Sequence, residues 1–233
     1  MIKQIQSQLR KASSRETKEV LQRFFKTGKG EYGEGDIFIG VKVPRIRKVA
    51  RQFRSAVFDD TTRLLRSPIH EERLTALFIL IDQFSNAKPD GKKKIYGLYL
   101  EHTSFINNWD LVDLSAHHIV GAFLDGKDKS ILRKLAVSKL LWDRRIAILA
   151  TFYFIKHNQF RDALYLAKTL LTDKEDLIHK AVGWMLREVG KRDLAAEESF
   201  LKKHYRKMPR TMLRYAIERF PEKKRQAYLK GTV

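Results

Sequence analysis

Arg145-Ile146-Ala147-Ile148 is the stretch that decides the fold, because it recurs along the chain. Arg73-Leu74-Thr75-Ala76 precedes it, Arg214-Tyr215-Ala216-Ile217 follows it, and Lys180-Ala181-Val182-Gly183 is a looser copy. The leading positions 73, 145, 180 and 214 lie 72, 35 and 34 residues apart, and half of the first gap lands on Trp109. Residues 73, 109, 145, 180 and 214 therefore mark one position in five successive units. A period of 34 to 36 residues with two helices per unit predicts an α-solenoid. The Trp, Leu-Gly and Tyr pattern of tetratricopeptide repeats is missing, as is the Thr-Pro-Leu-His of ankyrin. HEAT-like helical pairs fit better, on a period shorter than the ~40–47 usual for that class.

Outward from the repeat, almost every segment carries helical periodicity, and strand-like alternation is nearly absent. The chain reads as a single all-α domain over residues 1–233. N-terminal helices occupy 1–26, the second opened by a capping box of Ser13 and Glu16. A glycine-rich loop follows over 27–36, with Gly28, Gly30, Gly33 and Gly35. The apolar run Ile37 to Val43 has an extended character, and Pro44 suits the first turn of the next helix. Helical pairs joined by short connectors then run from about 44 to 230. Stacked in this way they predict a concave basic face.

Composition narrows the partner. The 233 residues are 43% hydrophobic, enough for a packed core, and include no cysteine. Disulfides, thiolate metal sites and a cysteine nucleophile are thereby excluded, and a reducing cytoplasm is the expected compartment. Met1 to Gln6 lacks the apolar region of a signal peptide, and the longest apolar runs, such as Leu77 to Ile81, are far too short for a bilayer. A net charge of +20 predicts a polyanionic partner. Nucleic acid suits it better than a membrane, since no single helix is a basic stripe backed by a bulky apolar face. Few Asn or Gln side chains are placed to read base edges, so binding should be salt-dependent and indifferent to sequence.

One stretch carries chemistry. In Asn107-Asn108-Trp109-Asp110-Leu111-Val112-Asp113, Trp109 and Asp113 are four residues apart and share a helix face. Asn107 or Asn108 can cap that helix, and Asp110 sits in its first turn. The repeat register puts Trp109, Arg145 and Lys180 at equivalent positions, and Asp113, Leu149 and Trp184 one turn further on. Two indoles, one carboxylate and several cations are then expected on one row. Leu149 shows that such a row also serves packing. The adjacent His117 and His118 cannot point the same way, and with no His-x3-His pattern neither a metal nor another cofactor is expected. Trp142 reads as core, and Glu188 as a solvated partner of Arg187. No lysine is embedded in an apolar stripe, so a Schiff-base lyase step is not indicated.

The motifs Trp109-Asp110-Leu111-Val112-Asp113, Trp142-Asp143-Arg144-Arg145-Ile146-Ala147-Ile148-Leu149 and Lys180-Ala181-Val182-Gly183-Trp184-Met185-Leu186-Arg187-Glu188 resemble the AlkD-type DNA alkylation repair proteins, which are HEAT-like-repeat DNA glycosylases. Gly40-Val41-Lys42-Val43-Pro44-Arg45 is similar to their N-terminal region, and the resemblance covers roughly Val20 to Pro221. It implies a monofunctional glycosylase that excises N3- or N7-alkylated purines from duplex DNA, working as a monomer that associates with the nucleoid. Asp113 would be the catalytic carboxylate, with Trp109 and Trp184 as the active-site tryptophans. Arg145 would contact DNA beside the lesion, and Arg187, Lys180, Arg144 and Arg73 would complete the DNA-binding set. The sequence departs from the relatives at Asn108, where they often carry an aromatic, and at Phe24 or Phe25, where some carry a tyrosine. Some relatives bind branched DNA without excision. A non-catalytic binder of branched or distorted DNA is therefore the alternative, and a HEAT-like scaffold for an acidic protein is a third reading.

Overall fold

A computed structural model describes residues 1–233, and it is all-α. Fourteen α-helices are joined mostly by short loops, the longest connection being 25–42, and the only β-type pairing is one parallel bridge between Ile37 and Ile69. The chain divides into two compact units, Met1–Ser115 and Ala116–Val233.

The first unit holds α1 (Ile2–Lys11), α2 (Arg15–Phe24), α3 (Val43–Gln52), α4 (Phe58–Leu65), α5 (His70–Asn86) and α6 (Pro89–Glu101), and α7 (Trp109–Ala116) begins in it. The cap of α2 is one residue later than the sequence predicts. Ser14 accepts the Thr17 amide, whereas Ser13 donates to the Arg10 carbonyl and closes α1. Helix α5 packs against α3, α4 and α6 and is buried without a break from His70 to Leu80, as a helix enclosed on all sides must be. The segment after the glycine-rich loop is strapped down rather than paired as a strand. The amides of Ile39, Gly40 and Val41 donate to the Glu71 carboxylate at 3.1, 2.8 and 3.1 Å. Gly40 has φ +88°, and a Cβ there would lie 2.1 Å from the Ser14 carbonyl oxygen, so only glycine passes between the strap and α2.

The second unit opens with a π-helical turn, His117–Gly121. It continues through α8 (Ser130–Ala136), α9 (Leu141–Lys156), α10 (Arg161–Thr169), α11 (Asp176–Gly190), α12 (Leu194–His204), α13 (Arg210–Ala216) and α14 (Glu222–Lys230). Helix α9 packs on α8, α10 and α11, and α11 on α9, α12 and α13, which is the neighbour pattern of successive helical pairs. Two glycines let neighbouring helix backbones approach closely. A Cβ on Gly121 would meet the Ala150 carbonyl oxygen at 2.3 Å, and one on Gly183 the Met212 carbonyl oxygen at 2.4 Å. The repeat marks 73, 109, 145, 180 and 214 fall on α5, α7, α9, α11 and α13, so alternate helices carry the sequence period. No helix is long and apolar enough to cross a membrane.

Candidate functional site

In the first unit the site is built around Trp109, the first residue of α7. Its ring is half-buried and belongs to a layered stack. Phe25 lies parallel to it at 5.1 Å, Phe38 parallel to Phe25 at 4.9 Å, and the His70 imidazole parallel to Phe38 at 4.3 Å. Phe24, whose side is open to solvent, meets Trp109 edge-on at 5.8 Å. Such offset and edge contacts hold ring orientation as well as burying area.

Beneath the stack is a buried charge network that sets the start of α7. His70 Nδ1 is 3.1 Å from Asp36, and Nε2 is 2.8 Å from Asp110. Burial opposes charge on the imidazole, but the charge and hydrogen bond of Asp110 and the hydrogen bond of Asp36 outweigh it, pushing the pKa up to about 9. A doubly protonated ring donates to both carboxylates, and its face against Phe38 adds a cation–π contact. Asp36 also accepts from Arg73 and from Asn108, the latter at 3.0 Å. Burial works against the Asp36 carboxylate, but these partners hold its pKa below the ordinary value. Asn108 is completely buried, and its side-chain oxygen accepts the Trp109 amide at 2.8 Å. The polar residue at 108 thus ties the first turn of α7 to Asp36. Asp113, one turn beyond Trp109, is half-exposed, and its negative charge adds to burial in raising the pKa of the Tyr99 phenol.

In the second unit the site is built around Trp184 on α11. The half-buried indole packs on Phe152 with ring centres 5.7 Å apart. Its Nε1 donates to Glu188 at 3.1 Å. Glu188 is 7% exposed, and the same oxygen accepts from Lys191 at 2.6 Å. Arg192 lies 3.8 Å from the other oxygen. Lys156 sits over the far partner, its ammonium 4.2 Å from the Phe152 ring centre. Burial and the neighbouring Arg192 charge lower its pKa, against the pull of Glu188. Lys156 on Phe152, and Lys191 and Arg192 on Glu188, are therefore cations on the tryptophan's two partners, and the sequence did not single them out.

The expected DNA-binding residues separate into two kinds. Arg73 is a correction. It is 3% exposed, with its guanidinium on Asp36 and the Ser67 carbonyl, so it belongs to the buried network and has no face for a phosphate. Arg144 is likewise a staple. It grips Asp173 through Nε at 2.6 Å and Nη2 at 3.3 Å, and Nη1 serves the carbonyls of Ser138 and Lys139. Arg145 is 5% exposed and donates to the Leu177 carbonyl, so its guanidinium too is engaged within the protein. Lys180 pairs with Asp176 at 2.7 Å on an open surface, and Arg187 pairs with Glu218. The expected Arg187–Glu188 pairing is corrected, because Glu188 turns inward to Trp184.

Residues 5–220 match the DNA alkylation repair enzyme family. The chain belongs to that family. Among solved structures, a predicted DNA alkylation repair enzyme from Enterococcus faecalis matches with a TM-score of 0.69 at 14% identity, over 90% of this chain and 97% of that one. At that identity the likeness establishes the fold. No match was found among curated protein sequences. Membership in the DNA alkylation repair family makes DNA the partner and alkylation damage the context. The open basic residues around Trp184 suit such a partner.

Proposed function

We propose that this family member is a monofunctional DNA glycosylase that hydrolyses the N-glycosidic bond of N3- and N7-alkylated purines in duplex DNA. The observation that carries the reading is that Asp113 stands one helical turn from Trp109 on α7, in a chain of net charge +20. A carboxylate one turn from an oriented indole, on a half-exposed position, is suited to stabilising a cation.

The lesion supplies that cation. An N3- or N7-alkylpurine is already positively charged, so the C1′–N bond breaks with its electron pair leaving on the base, which departs neutral and needs no general acid. Positive charge passes to the deoxyribose. A fixed carboxylate stabilises that oxocarbenium-like ion and orients the water that adds to C1′ and then sheds a proton. Asp113 takes this part, and the face of Trp109 contributes cation–π stabilisation of about 0.5–2 kcal/mol; the same role for Trp184 rests on the family resemblance alone. Lys180 and Arg187 meet backbone phosphates.

The test is incubation with methylated duplex DNA, followed for free 3-methyladenine and 7-methylguanine. Release by the parent protein and a loss of about 10²–10³ in rate for Asp113→Asn, with binding held or tightened, is the expected result. Binding without release by the parent would favour the non-catalytic reading. Equal rates for the parent and Asp113→Asn would remove Asp113 from the mechanism.

A further inference from the structure

Trp184 is the one member of the proposed site whose indole N–H is held by a buried carboxylate. Glu188 stands four residues on in α11, is 7% exposed, and accepts that N–H at 3.1 Å. The i, i+4 spacing alone would bring the two side chains together. Two features of the pair go further than packing. The carboxylate lies at the edge of the ring, so its charge acts along the N–H bond and leaves the ring faces clear. It is also shared, because Lys191 at 2.6 Å and Arg192 at 3.8 Å draw on the same group, and Lys156 lies close enough to feel its charge. One face of the indole is partly taken by Phe152 at 5.7 Å.

An indole that donates its N–H to an anion becomes richer in π-electron density, and cation–π attraction scales with the negative potential of the ring face. A charge-assisted hydrogen bond also fixes the ring plane more firmly than a neutral one. We infer that Glu188 is a positioning residue that orients and electronically enriches Trp184, raising its affinity for the cationic sugar of the transition state. Lys191 moderates this by drawing charge from the same oxygen. The inference rests on the glycosylase reading, since it needs a sugar cation for Trp184 to meet.

The experiment uses the full chain and two duplexes that cannot be excised. One carries a pyrrolidine abasic analogue, protonated and so cationic at the sugar, and the other its neutral tetrahydrofuran counterpart. The ratio of the two affinities isolates recognition of the cation, because phosphate contacts cancel in it. Glu188→Gln keeps the shape and the hydrogen-bond acceptor but removes the charge, and should lower the parent's preference for the cationic duplex by about three- to fivefold. Lys191→Met, at an open position, frees the oxygen that the indole shares from its nearest cation and should raise the preference. In a Trp184→Phe background Glu188→Gln should change nothing, because its effect runs through the indole. An equal loss in that background would show that Glu188 acts directly by its charge and would overturn the inference. So would an unchanged ratio in both Glu188→Gln and Lys191→Met while the parent still prefers the cation, and that result would leave the glycosylase reading standing. A parent with no preference for the cationic duplex removes both.

Discussion

Stability should fall as pH rises from about 6.5 to about 9, and His70 should be the cause. Its pKa in the folded protein is about 9, against an ordinary 6.5. Between those values the folded chain holds a proton that the unfolded chain has released, so raising pH favours unfolding. Below 6.5 both states carry the proton and the contribution is complete; above 9 both have lost it. A gap of about 2.5 pKa units corresponds to about 3 kcal/mol at its ceiling, a large share of the ~5–15 kcal/mol that holds a typical protein folded. The physical source is the pair of carboxylates, Asp36 at 3.1 Å and Asp110 at 2.8 Å, which need a cation between them.

The perturbation is His70→Gln, and the assay is urea unfolding at intervals from pH 6 to pH 10. Near pH 6 the variant should be less stable by up to about 3 kcal/mol. The gap to the parent should shrink through pH 9 as the parent's imidazole loses its proton, leaving only the difference in packing on Phe38. Other groups that titrate in the window are common to both proteins and cancel in the difference. A gap that stays constant from pH 6 to pH 10 would show that His70 is neutral in the native state and that the network is not held by its charge. Because Asp110 and Asn108 set the first turn of α7, the same variant should also slow excision by disturbing Trp109.

Three further outcomes are expected. Glu197 is 2% exposed, and burial together with the neighbouring Glu198 charge raises its pKa to about 8 from 4.5. Between those values the native chain retains a proton that the unfolded one gives up, so Glu197→Gln should stabilise at pH 7.5 and make little difference at pH 4.5, as read from melting temperatures. Gly183→Ala would place a Cβ 2.4 Å from the Met212 carbonyl oxygen and 2.5 Å from the Tyr215 Cβ. Because one of those partners is backbone, α11 and α13 must separate, at a cost of about 1–3 kcal/mol in urea unfolding and with a drop in excision through the adjacent Trp184. Binding to undamaged duplex should weaken linearly on a log–log plot against salt, with a slope near −0.9 per phosphate contacted; a flat slope between low and physiological salt would exclude the phosphate contacts.

The sequence revealed what is periodic and local. The marks at 73, 109, 145, 180 and 214 fall on alternate helices, and Trp109 and Asp113 share one helix, because a repeat and a helical turn are both visible in linear order. Long-range polar pairing is not visible in that order. The bonded pairs Asp36–His70, His70–Asp110 and Asp36–Asn108 span 34 to 72 residues, and nothing in the spacing tells a capping Asn or a first-turn Asp from a member of a buried network. The repeat also misled. It made Arg73 equivalent to Arg145, but Arg73 faces the glycine-rich strap and meets Asp36 there, whereas Arg145 meets the Leu177 carbonyl on α11. Equivalence of register fixes which helix and which turn a residue occupies. The packing partner then decides whether its charge is spent inside the protein or left for DNA.

Glu188 shows the same distinction from the other side. Its neighbour Arg187 offered an obvious salt bridge in sequence, yet adjacent helical residues point about 100° apart and do not face each other. The residue it can reach is four back, and that residue is Trp184, at 3.1 Å. Arg187 turns instead to Glu218 on the helical turn after α13. An i, i+4 Trp–Glu pair in a basic DNA-binding chain is therefore a signal in its own right. The carboxylate opposes phosphate binding, and beyond its pairing with Lys191 and Arg192 the proposed role for it is what it does to the indole.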